Sequence, residues 1–105
     1  MQSEADVQST VTASLDLYRY RWTHFRPAIN KRGHYQTALS GSPGWPDIAA
    51  TNGKVFMVIE VKSEKGVLSA EQLIWRVMLE NSGVEYWLIR PSSVDEFIRR
   101  LQEVK

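Results

Sequence analysis

Residues Val55–Lys62 read Val-Phe-Met-Val-Ile-Glu-Val-Lys. β-Branched and aromatic types dominate the run and no acid or amide interrupts it before Glu60, which predicts a strand buried on both faces rather than an edge. Successive strand side chains point to opposite faces, so Glu60 and Lys62 share one face while Val61 points to the other. A carboxylate and an ammonium at the end of a buried strand need a partner.

The residues just upstream supply one. Asn52-Gly53 predicts a two-residue type I′ turn, because both central positions of that turn need φ above zero. Such a turn pairs Thr51 with Lys54, Ala50 with Val55, Ala49 with Phe56, Ile48 with Met57 and Asp47 with Val58. Unless a β-bulge changes the parity, Asp47 then lies on the face of Glu60 as its diagonal neighbour, with Cβ atoms roughly 7–8 Å apart. Two carboxylates that close repel unless a cation or a proton lies between them. An ion pair of Glu60 with a basic residue does not explain Asp47 on the same face.

Gly44-Trp45-Pro46-Asp47, followed after the hairpin by Glu60-Val61-Lys62, resembles the signature of the PD-(D/E)xK nuclease superfamily. The Gly-x-Pro-Asp form, the short spacing and Gln72 opening the next helix are similar to the VRR-NUC branch, particularly its small standalone members in phages and bacteria. The resemblance implies an α/β fold with a restriction-endonuclease-like core, a mixed central β-sheet flanked by helices, in one domain over residues 1–105. It implies a metal-dependent DNA endonuclease in which Asp47, Glu60 and the backbone carbonyl of Val61 bind Mg²⁺ or Mn²⁺, hard cations that take oxygen ligands. Lys62 would orient the attacking water or stabilise developing charge, Glu4 would hold a second metal through water, and the products would be a 5′-phosphate and a 3′-hydroxyl. It implies a homodimer on branched DNA, four-way junctions included, since a twofold relates two sites to symmetric strands. The competing class is a DNA-binding or assembly module that keeps the fold without turnover.

The remaining sequence sets bounds. The chain has 105 residues, a net charge of +1 and no cysteine. There is no disulfide framework or thiolate metal site, as expected of a cytoplasmic protein of a bacterial cell or a phage-infected host. No apolar run approaches the roughly 18–20 residues of a membrane span.

Ser3 to about Tyr20 is expected to be a helix, with Ser3 as N-cap and Glu4 and Asp6 in the first turn. Val7, Val11, Leu15, Tyr18 and Trp22 make one apolar stripe. Glu4 extends that stripe, so it is either a helix-start acid or a group aimed along the buried face at the site. A first strand is expected at His24–Ile29, then a long loop from Asn30 to Gly44 that contacts DNA or gates substrate.

Between Leu17 and Pro46 there is no acid, but Arg19, Arg21, Arg26, Lys31 and Arg32 alternate with aromatic residues. Such a patch suits phosphates, its alternative being a solvated basic face. His24 is expected to be structural and His34 a phosphate or base contact, since no partner at zinc-ligand spacing exists.

Downstream, Ser69 and Gln72 predict a capping box for a helix to about Asn81, closed by Gly83, with Leu73, Ile74, Val77 and Met78 facing inward. Gln72 either only caps that helix or, as the resemblance implies, orients water or the scissile phosphate. Lys65 and Arg76 are backbone contacts or surface charge. Val84–Ile89 is expected to be a strand parallel to the first stretch, and Ser93–Glu96 a second capping box.

Overall fold

The computed structural model describes residues 2–25, 28–29, 35–36 and 40–104, with backbone alone at 28–29 and 35–36. Helix α1 (Glu4–Leu17) is followed by β1 (Arg21–His24), the short β2 (Ala28–Ile29) and β3 (Tyr35–Gln36), then β4 (Ile48–Thr51) and β5 (Phe56–Val61). Helix α2 (Ala70–Asn81), β6 (Glu85–Ile89), a 3₁₀ turn (Pro91–Ser93) and α3 (Val94–Glu103) complete it. A four-stranded sheet runs β1-β4-β5-β6, antiparallel except for the parallel pair β5–β6 that α2 connects. This is the mixed α/β sheet flanked by helices that the sequence implied.

Helix α1 starts where expected. Ser3 accepts from the Asp6 amide, and the Asp6 carboxylate accepts from the Ser3 amide, 3.1 Å each. The helix ends before Tyr20 because Arg19 takes a left-handed φ of 65°, which turns the buried Tyr20 inward. The first strand therefore begins at Arg21 and closes at His24, earlier than the predicted His24–Ile29. Trp22 belongs to that strand, not to the helical stripe, and its indole N–H donates to Asp16 at 2.8 Å.

The β4–β5 hairpin differs from the two-residue turn. Thr51 faces Phe56 and Ile48 faces Ile59, so four residues, 52–55, form the loop. Its own side chains cause this. Asn52 Oδ1 accepts from the amides of Lys54 and Val55 at 2.9 and 3.1 Å, and the Thr51 hydroxyl donates to the Val55 carbonyl at 2.6 Å. These bonds divert Lys54 and Val55 from the ladder. The register moves by two residues, so parity survives, and one step beyond the Ile48–Ile59 pair Asp47 falls across from Glu60.

One sheet face carries the core. Val7, Val11 and Leu15 of α1 and Val94, Phe97 and Leu101 of α3 pack on Ile48, Ala50, Met57, Ile59, Val61 and Ile89. Each fully buried aliphatic or aromatic side chain contributes about 1.5–3 kcal/mol. His24 lies on this side and bonds Gln8 at 3.0 Å, a structural role as expected.

The opposite face, with Val58, Glu60 and Tyr86, lies beneath α2 near β6. The Ser69–Gln72 capping box forms, and Gly83 closes the helix with φ +84°. The inward apolar stripe does not. None of the residues of α2 is buried, and Leu73, Ile74, Val77 and Met78 are 47–63% exposed. Trp75 instead anchors the helix, donating to the Pro43 carbonyl at 2.9 Å and packing edge-on against Trp45 at 5.0 Å. The second predicted capping box is also missing, because the Ser93 hydroxyl turns back to accept from the Arg90 amide at 2.9 Å.

Candidate active site

Pro46 is buried and sets Asp47 at the mouth of β4. The Asp47 backbone carbonyl accepts from the Phe25 amide at 2.8 Å, which ties it to the end of β1. Its side chain turns to β5, where Oδ2 accepts from the Val61 amide at 2.9 Å. The Lys62 amide donates in the other direction, to Ile89 of β6, at 3.0 Å. A strand residue presents its N–H and C=O to the same neighbour. The Val61 carbonyl therefore faces the β4 side, the side of Asp47.

Glu60 is 2% exposed, and its Oε1 has no hydrogen-bond partner. Burial first, then the hydrogen bond and negative charge of Asp47, push its pKa up to about 9, with the charge of Glu4 adding to the rise and Lys62 opposing it. Both causes favour the protonated carboxyl at Glu60 while no cation is bound. A buried carboxyl pressed against a second carboxylate, with one oxygen unsatisfied, is arranged for a positive charge that compensates both.

Asp47, Glu60 and the Val61 carbonyl are all oxygen donors and suit a hard divalent cation. Among the described residues no group of three His, Cys, Asp or Glu side chains closes round a point, so such a cation would complete its shell with water and substrate oxygens. Glu4 is exposed at the first turn of α1, near enough for its charge to act on Glu60. Gln72 is committed through Oε1 to the Ser69 amide at 2.8 Å, the capping role, which leaves its NH₂ group for any other.

The loop before Asp47 is clamped onto α2. Gly44 has φ +100°, and a Cβ there would lie 2.6 Å from the Glu71 carbonyl carbon and 2.8 Å from the Gln72 amide. Only glycine permits this approach. Phe25, Trp45 and Trp75 then stack edge to face, at 6.1 and 5.0 Å. Beyond Lys62, Arg90 donates to the carbonyls of Ser63, Glu64 and Gly66, while Glu64 accepts from the Ser92 hydroxyl at 2.6 Å. Of these supports, Gly44 and Trp45 belong to the motif, while Phe25, Trp75, Glu64, Arg90 and Ser92 lie outside it.

The basic positions scatter. Arg21 pairs with Thr51 at the far end of β4, about 13 Å along the strand from Asp47 at some 3.3 Å per residue. Arg19 lies at that far end too. Arg76 pairs with Glu80 at 3.1 Å and sits 5.2 Å over the Tyr86 ring, while Lys65 is exposed in the turn after Lys62. Arg26, Lys31, Arg32 and His34, with most of the expected contact loop, lie outside the described residues.

Mixed sheet, flanking helices and a carboxylate pair at one sheet end define the restriction-endonuclease-like class of α/β proteins. Within it, the VRR-NUC domain matches residues 17–92, and the chain belongs to that nuclease family. No curated protein sequence matches it. Among solved structures, Archaeoglobus fulgidus Hjc, a Holliday junction resolvase from an archaeal hyperthermophile, is similar in fold, with TM-score 0.50 and 24% identity over 83% of this chain and 69% of that one.

Proposed function

We propose that this chain is a divalent-metal-dependent DNA endonuclease, selective for branched DNA such as four-way junctions and working as a homodimer in the bacterial or phage-infected cytoplasm. The buried Glu60, unsatisfied at Oε1 and pressed against Asp47 beside Lys62, is the observation that carries the reading.

Asp47, Glu60 and the Val61 carbonyl would hold Mg²⁺ or Mn²⁺, with Glu4 reaching through water. Such a cation, when bound, supplies charge to the scissile phosphate and acidifies a coordinated water. Lys62 lies on the Glu60 face, where its ammonium orients the attacking water and offsets charge on the phosphate oxygens. Water oxygen bonds to phosphorus as the bond to the 3′ oxygen breaks, giving a 5′-phosphate and, after protonation, a 3′-hydroxyl. Gln72, through its NH₂ group, and Lys65 would steady the backbone, and the remaining cations would attract flanking phosphates.

The homodimer is supported by α2, whose exposed Leu73, Ile74, Val77 and Met78 form an apolar stripe on the helix that bears Gln72. Monomeric surfaces rarely leave such a stripe uncovered, and a second copy would cover both at once. Sedimentation should show a dimer that Ile74→Glu dissociates; a wild-type monomer with junction DNA bound would sink it. The substrate reading is tested by incubating the wild type with Mg²⁺ or Mn²⁺ on labelled single-stranded, duplex, flap and four-way-junction DNA. Preferred cutting of the branched forms is expected. Binding without cutting on all of them would replace the nuclease by a silent DNA-binding module.

A further inference from the structure

We propose that Tyr86 is a positioning residue for the cation site, its hydroxyl being the donor that holds the Glu60 carboxylate once a divalent cation is bound there. The inference rests on the nuclease reading above. Tyr86 stands across from Val58 in the parallel β5–β6 register, so it occupies the face of Glu60 on the neighbouring strand, at a diagonal that an aromatic side chain spans.

Its hydroxyl is buried and has no hydrogen-bond partner, and neither has Glu60 Oε1. Two orphaned polar atoms on one buried face match in kind. A carboxylate that ligates a cation is acceptor-only and has spare lone pairs, while a phenol offers one O–H.

The ring is held for this role. The Arg76 guanidinium lies 5.2 Å above it, and Arg76 is itself fixed by Glu80 at 3.1 Å. Partners of metal ligands orient them, and their loss weakens metal affinity about 10- to 100-fold.

The test is calorimetric titration of Mn²⁺ into the wild-type chain and Tyr86→Phe, without DNA, beside thermal melts of both in EDTA. The expected result is a Kd for Mn²⁺ raised about 10-fold or more in the variant, with a metal-free melting temperature equal to or above that of the wild type, because the deleted hydroxyl had no partner to lose. Equal Mn²⁺ affinity overturns this inference alone. So does a variant that melts lower in EDTA, since the hydroxyl would then serve the metal-free fold. A wild type that takes up no Mn²⁺ overturns the cation site and this inference with it.

Discussion

The two faces of the sheet are built by different rules. On the α1/α3 face, apolar side chains from five elements interlock, and Phe97, Ile59 and Leu15 are wholly buried. On the α2 face a glutamate, a phenol and an indole each carry a buried polar atom without a partner, at Glu60, Tyr86 and Trp45, whereas the core face leaves one among the described residues, the Tyr20 hydroxyl. Each such atom costs about 1–3 kcal/mol relative to a paired one. Apolar packing is concentrated on one face, and the other leaves more buried polar atoms unpaired, as the proposed cation site would require.

Four changes probe that contrast. The largest effect is expected from pH. The folded pKa of Glu60, about 9, lies above its ordinary 4.5, so its contribution is fully present below pH 4.5 and is lost as pH rises toward 9. Metal-free protein should lose stability steadily as pH rises across that window, since the folded state holds the extra proton there. Urea unfolding at a series of pH values would show the slope, and Glu60→Gln should flatten it.

Next, Ile59→Ala on the core face should cost about 2–5 kcal/mol by opening a cavity. Gly44→Ala should cost about 1–3 kcal/mol, since a left-handed alanine must also push Glu71 and Gln72 aside; denaturant midpoints measure both. The smallest effect belongs to Ile74→Ala, which should stay within about 0.5 kcal/mol at protein concentrations low enough to hold the monomer. A loss like that of Ile59→Ala would mean that α2 is covered by its own chain.

Much of this was legible beforehand because it depends on local rules. The run from Val55 announced a central strand, and parity alone placed Asp47, Glu60 and Lys62 together even though the turn was misjudged. The Ser69–Gln72 box and Gly83 marked the ends of α2 for the same reason. The hairpin length was hidden because Thr51 and Asn52 bond their own backbone, an effect that the Asn-Gly pair does not encode.

Helical spacing showed that α2 has an apolar stripe, but periodicity cannot say whether the same chain covers it. The contacts of Trp45, Trp75 and Arg90 were not legible in the sequence because they form only across elements. For Tyr86 the signal was partial: the strand parallel to β5 sets Leu88 directly across from Glu60 and Tyr86 diagonal to it.

The most direct test of the account is cleavage of labelled four-way-junction DNA by wild type and Lys62→Ala, each with Mg²⁺, Mn²⁺ or EDTA. The account predicts cutting by the wild type with metal, none in EDTA, and a loss of about 100-fold or more in Lys62→Ala with its melting temperature and DNA binding retained. Cutting that persists in EDTA, or undiminished in Lys62→Ala, would contradict a metal site at this end of the sheet.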